Sequence, residues 1–192
     1  MNPSIARLDL PAQTIASSHG KARDMLEDSQ RKLGFVPQMY AHMVNSPGLL
    51  QTYLQGYELF RAESGFTAVE QEVVFLSISR FNGCTYCMAA HSMIADKMSR
   101  VPADILKALR EGQPLSDARL QALATFTTIM AESRGTPSPA QLEAFRAAGY
   151  SDRQALEIVL AIAVKTLSNY ANHILHTPSD AAFQDYAWAP HP

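Results

Sequence analysis

Cysteine is scarce in this chain, with two residues in 192, and tryptophan occurs once. Net charge is small, at −2, so there is no electrostatic footprint for nucleic acid or an anionic membrane surface. Met1-Asn2-Pro3-Ser4-Ile5-Ala6-Arg7 lacks the charged-then-apolar profile of a secretory leader. No apolar run approaches the length of a bilayer span. The expected compartment is therefore the cytoplasm, with neither nucleic acid nor membrane as a partner. A reducing cytosol disfavours permanent disulfides, which makes a cysteine pair a candidate for chemistry rather than a staple. Sustained alternation of apolar and polar residues, the mark of a strand, is also missing.

What the chain has instead is helical periodicity. Hydrophobic residues make up 47%, enough for a sizeable core in one domain or two fused small ones. Proline and glycine fall between periodic segments. The pattern predicts helices over about 19–33, 48–63, 67–81, 84–98, 102–110, 116–134, 138–148 and 151–176. Thr67-Ala68-Val69-Glu70 reads as a capping box, as does Ser116 or Asp117 before the Leu120/Leu123 stripe, and Ser138-Pro139 places proline at a first helical position. The expected fold is all-α.

A repeat at a constant offset of 85 organises the chain. Glu72-Val73-Val74-Phe75 pairs with Glu157-Ile158-Val159-Leu160, Cys84 with Asn169, Cys87 with Asn172, and His91 with His176. Gly65-Phe66-Thr67 echoes in Gly149-Tyr150-Ser151 with one residue of slippage. The expectation is one domain over 1–192: an N-terminal segment 1–45, a helical unit 46–112 that keeps the thiols, and a related thiol-free unit 113–192. The two units would pack about a pseudo-two-fold axis.

Both cysteines lie in one motif, Cys84-Thr85-Tyr86-Cys87-Met88-Ala89-Ala90-His91. Residues three and four apart share a helix face, so two thiols and an imidazole can meet. Zinc and a redox dithiol are the two chemistries such a cluster offers. Structural zinc takes four ligands, usually from two paired knuckles, and here there is one pair, with Asp96, His173 or His176 as recruits. A dithiol needs only two sulfurs and a base, which the motif supplies. Phe81-Asn82-Gly83 favours a turn, so a helix should begin near Cys84, where free N–H groups and the helix dipole lower a thiol pKa. Positions i and i+3 at a helix start lie about 5–6 Å apart, within reach of a disulfide.

Other residues admit two readings. Glu72 stands in the apolar stretch Glu72–Ile78; it is either a surface glutamate or a buried one whose pKa rises into the range of a general base. The polar group Asn169, Asn172, His173 and His176 reads first as a hydrogen-bonded seam, with a place beside Cys87 as the functional alternative. Met39, Tyr40, Met43, Tyr53, Tyr57 and Phe60 recur at helical spacing, an inward core face before a pocket wall.

Taken together, Glu72, Asn82-Gly83, Cys84-Thr85-Tyr86-Cys87 and His91, with Gly34-Phe35-Val36-Pro37 and Asn45-Ser46-Pro47 upstream, resemble the alkylhydroperoxidase D-like (AhpD-like), peroxidase-related branch of the carboxymuconolactone decarboxylase superfamily. The resemblance implies an all-α AhpD-like helical bundle and a peroxidase that reduces organic hydroperoxides. In it Cys87 would be the peroxidatic thiol, Cys84 the resolving one, and Glu72 with His91 the proton relay. Helix-dipole reasoning alone would choose Cys84 as nucleophile. Tyr86 departs from the family pattern, because the better-studied members carry histidine there. The resemblance further implies no bound cofactor or metal, an external dithiol, thioredoxin-like or lipoyl-type reductant, and a homo-oligomer. A dithiol sensor without turnover is the alternative from a different class, and a zinc-stabilised structural protein is a third.

Overall fold

Side-chain caps fix where several helices begin. Thr67, Ser138 and Ser151 each accept the N–H three residues on, while Glu70, Gln141 and Gln154 reach back to the cap N–H. Each such box supplies partners for backbone donors that a helix start leaves unpaired. Asp117 caps its helix by accepting from the N–H groups of Arg119 and Leu120, both at 2.9 Å. The reciprocal half expected there is absent, because Leu120 occupies the position three residues on.

The structure, a computed structural model, describes residues 5–190; Met1–Ser4 of the leaderless reading and the last two residues of the 113–192 unit lie outside it. The helices are α1 (Gly20–Leu33), α2 (Gln38–Met43), α3 (Pro47–Glu63), α4 (Ala68–Phe81), α5 (Thr85–Lys97), α6 (Ala103–Glu111), α7 (Ala118–Glu132), α8 (Pro139–Ala147) and α9 (Asp152–Leu175), followed by a 3₁₀ helix over Ala181–Tyr186. No strand occurs among the described residues. The sequence pattern misses two elements, α2 and the 3₁₀ helix. Each spans six residues, too short to display a 3.6-residue period.

Helix α4 is the hub, packed against α5, α6, α7 and α9. Every residue from Glu70 through Ser79 is buried, so this helix lacks a wet face. Helices α3 and α9 approach closely at Gly56, where a Cβ would stand 2.8 Å from Val164 Cγ2. The N-terminal segment runs over the bundle, with the Leu8 N–H donating to the Ile174 carbonyl at 2.9 Å and the Gln13 N–H to that of Ala41 at 2.8 Å.

One expectation needs correction. By length and composition α9 does match a bilayer span, with a mean hydropathy of 1.2 over its best 18-residue window. Half of that window is buried inside the fold, and Lys165 lies wholly buried in its middle; a core helix satisfies the same criterion. The segments paired at the offset of 85 differ in their backbone course. The first breaks at Asn82-Gly83, with Gly83 at φ 66°, whereas α9 continues through the equivalent Leu167-Ser168.

Candidate active site

The turn after α4 sets the thiols in place. Asn82 ends α4, Gly83 takes a left-handed conformation that glycine adopts without penalty, and the Cys84 N–H then donates to the Ser79 carbonyl at 2.9 Å. Cys84 is the N-cap of α5 and Cys87 lies in its first turn. The helix therefore starts one residue after Cys84, whose side chain makes no capping hydrogen bond, and both thiols stand at the positive end of α5. Both thiols are free and buried, Cys84 at 0% and Cys87 at 2% exposure.

Helix α9 supplies the other side. The Asn172 amide Nδ2 stands 3.4 Å from Cys87 Sγ, 3.8 Å from Cys84 Sγ and 3.3 Å from Met39 Sδ. Ser168 Oγ lies 3.9 Å from Cys87 Sγ. The polar group read from the sequence thus divides. Asn172 meets the sulfurs, while Asn169 Oδ1 accepts from Asn82 Nδ2 at 2.8 Å and ties α9 to the turn. His173 and His176 make no hydrogen bond to either sulfur. His176 ends α9 at φ 50° with Nε2 3.2 Å from the Ile5 carbonyl. Asp96 is engaged by Lys97 and the Tyr186 hydroxyl, so none of the three recruits joins the thiols. Among the described residues no group of three or more His, Cys, Asp and Glu is arranged to hold a metal ion.

Glu72 is fully buried. Its Oε2 is 2.9 Å from His91 Nδ1, and its Oε1 receives the Arg61 guanidinium and the Ser99 hydroxyl. Burial pushes this carboxyl up, but His91 and Arg61 outweigh it and hold the pKa below the usual carboxylate range. This corrects the expectation of a raised pKa: Glu72 is a fixed anion that orients an imidazole, and not itself the base. Burial lowers the His91 pKa against the pull of Glu72. A neutral ring donating Nδ1–H to Glu72 leaves Nε2 as an acceptor. Phe75 packs against that ring at 4.9 Å between centroids.

The two thiols are pushed in opposite directions. Burial and the neighbouring sulfur raise Cys84 well above the ordinary thiol range. Burial opposes ionisation of Cys87 too, yet hydrogen bonding from the Cys84 thiol, nearby positive charge and the Ser168 hydroxyl bring its pKa well below that range. Of the two thiols, Cys87 is the one whose surroundings favour ionisation, with Ser168 and Asn172 beside its sulfur.

Cys87 and His91 form part of the wall of a cavity of about 640 Å³ that also includes Met39, Tyr40, Tyr53, Tyr57, Tyr86, Arg61 and Phe183. Of the six residues read as an inward stripe, Met43 and Phe60 are core alone, Met39 and Tyr53 are core residues that also border the cavity, and Tyr40 and Tyr57 pack against that core and border the cavity too. Tyr86 stands in this wall, but its hydroxyl is committed elsewhere. It donates to Asp180 Oδ2 at 2.5 Å and accepts from the Met39 N–H at 3.3 Å, joining α5 to α2 and to the segment leading into the 3₁₀ helix.

Several residues at the site carry little signal in the sequence. Asp180 and Phe183 reach it from 94 and 96 positions after Tyr86 and Cys87, through the terminal 3₁₀ segment. Arg61 reads as an ordinary surface cation. Lys165 is different: it interrupts the apolar run Ile158–Leu167, and that interruption marks it. Its side chain is fully buried, and Nζ has no hydrogen-bond partner among the described residues.

Comparisons with known proteins agree with this architecture. Residues 47–117 match the sequence model of the carboxymuconolactone decarboxylase family, a span that includes Glu72, both cysteines and His91. No curated protein matches the chain. Among solved structures, an uncharacterized peroxidase-related protein with an alkylhydroperoxidase AhpD core, from Ralstonia eutropha JMP134, superposes with a TM-score of 0.79 at 22% identity, over 93% of this chain and 94% of its own. A peroxidase-related protein from Silicibacter sp. TM1040 gives 0.74 at 24% identity, over 95% and 96%. The debrominase Bmp8, in complex with 2,3,4-tribromopyrrole, gives 0.74 at 17% identity, over 95% and 97%. In its fold the chain is similar to these AhpD-core, peroxidase-related proteins, and its segment 47–117 matches the carboxymuconolactone decarboxylase family model.

Proposed function

We propose that the chain is a thiol-dependent peroxidase that reduces organic hydroperoxides by cycling Cys87 and Cys84 between dithiol and disulfide. The observation that carries this reading is the His91 imidazole, held from behind by the buried Glu72, in the same cavity wall as a thiol whose environment favours the thiolate. The Cys87 thiolate attacks the distal oxygen of ROOH and becomes a sulfenic acid. The proton that Cys87 gave to His91 Nε2 passes to the departing RO⁻, releasing ROH. Cys84 then attacks the sulfenic sulfur, forming the disulfide and water. An external dithiol restores both thiols by exchange. A largely apolar wall suits an alkyl or aryl group better than hydrogen peroxide.

The reading brings further proposals with it: a thioredoxin-like or lipoyl-type reductant, a cytoplasmic setting where that reductant is available, and a homo-oligomer. Leu156, Val159, Tyr170 and Ile174 of α9 are exposed and offer an apolar stripe for self-association.

Cys84→Ser tests the order of events. With a slight excess of cumene hydroperoxide it should consume one equivalent and stop, leaving a sulfenic acid at Cys87 that dimedone captures and mass spectrometry locates. Continued turnover in this variant, or dimedone on no residue, would remove the proposed cycle. A second reading is favoured by the tyrosine wall and by the aromatic ligand of the debrominase relative: reduction of a halogenated aromatic by the same dithiol. Bromide release from a bromopyrrole, with no hydroperoxide consumption, would select it.

A further inference from the structure

Lys165 stands wholly buried in the middle of α9, in the thiol-free unit. Its nearest aromatic partner is Phe75, with Nζ 5.4 Å from the ring centroid. One ring face repays only a fraction of the hydration an ammonium gives up on burial. The arrangement therefore calls for an anion.

The helices packed against α9 offer few candidates. Helix α4 brings Glu72, which is already bonded to His91 and Arg61. Helices α2 and α3 bring the phenols of Tyr40, Tyr53 and Tyr57, which burial keeps protonated, besides Arg61 and, at the far side of α2, His42. Helix α7 carries its charges, Arg119 and Glu132, only near its ends. Helix α5 brings His91, Cys84 and Cys87. The periodicity of α9 points to the last of these. Lys165, Ser168 and Asn172 are spaced i, i+3, i+7 and so share one face. Ser168 and Asn172 both reach Cys87 Sγ, at 3.9 and 3.4 Å.

We propose that Lys165 is the counter-charge of the reacting sulfur, a positioning residue that keeps Cys87 ionised from the opposite side of the bundle. The second unit, having lost its thiols, would then supply the electrostatics for those of the first. The positive charge of Lys165 is one of the influences that bring the Cys87 pKa down. The proposal rests on Cys87 as the reacting thiol and not on the identity of the oxidant.

Lys165→Met in the full-length chain tests it without any substrate. Ultraviolet thiolate absorbance and iodoacetamide alkylation are followed against pH, with mass spectrometry assigning the label to Cys87. The midpoint should rise by about 1–3 pH units, and alkylation at neutral pH should slow by about tenfold or more. Lys165→Arg should bring the midpoint back toward that of the unaltered protein. The melting temperature of K165M should change little, because Cys87 takes up a proton once its counter-charge is gone and an apolar side chain of similar length fills the space, leaving no charge buried alone. A lysine needed only for folding would do the reverse, lowering the melting temperature and leaving the midpoint alone. Lys165→Gln carries the same expectation and serves if K165M does not fold. An unmoved midpoint in whichever variant folds, or failure of both to fold, overturns the proposal. A raised midpoint in a protein that consumes no hydroperoxide would remove the peroxidase reading and leave this one standing.

Discussion

Cys87→Ser should lower steady-state consumption of an organic hydroperoxide by about 10³-fold or more, the scale of loss when a nucleophile is removed. Cys84 cannot take over. It lies outside the helix as its N-cap, has no solvent exposure, and its thiol is held protonated by burial and by the neighbouring sulfur. The fold should scarcely notice the change. A serine hydroxyl is smaller than a thiol, and Asn172 and Ser168 already stand where they can hydrogen-bond to it, so unfolding free energy should change by about 1 kcal/mol or less. Hydroperoxide consumption with excess dithiol, beside a thermal melt, measures both. Activity within tenfold of the unaltered protein, or transfer of the loss to Cys84→Ala alone, would reverse the assignment of the two sulfurs.

Glu72→Ala should be the most destabilising change at the site, costing about 3–5 kcal/mol, because it strands a partly buried guanidinium and an imidazole N–H without their shared acceptor. For a chain of this length that corresponds to a fall of roughly 6–20 °C in melting temperature. Glu72→Gln should be milder in stability, since its amide oxygen still accepts from His91. Its mark is on pH. Glu72 raises the His91 pKa, so the neutral amide should shift the His91 limb of a pH–rate profile toward lower pH. Both groups have pKa values below their ordinary ones in the folded chain. Each therefore contributes stability that is complete above its unfolded pKa and fades as pH falls toward the folded one. Loss should begin below about pH 6.5, where an unfolded imidazole takes up a proton, and deepen below the ordinary glutamate range. A melting temperature flat between neutral and mildly acidic pH would contradict the buried pair.

Much of this architecture is legible in the residues, and the reason is local. Thr67, Ser138 and the Asn82-Gly83 turn act within three or four positions, so the sequence displays both cause and effect. The Cys84/Cys87/His91 grouping is equally local, being the N-cap and the first two turns of one helix. Glu72 could be located but not described: its burial was open, and its ionisation depends on Arg61, 11 residues away on another helix. Asn172 could not be told from Asn169, although the two lie one turn apart, because only packing decides which amide meets sulfur and which meets Asn82. Tyr86 suffers the same fate, its hydroxyl being spoken for by Asp180 across 94 residues. Short elements such as α2 leave no period to read, and the stripe of Met39, Tyr40, Tyr53 and Tyr57 gives no sign that its members border a cavity while its tyrosines pack on one another.

The unbroken course of α9 through Leu167-Ser168 limits what the second half of the molecule can host. Restoring sulfur by Asn169→Cys and Asn172→Cys would recreate the spacing but seat both thiols in mid-helix, where the backbone amides are already spent on the preceding turn. They would have the letters of the motif without its field. A reactive pair on this helix thus demands a glycine hinge first and cysteines second, since sulfur alone would not create a helix start.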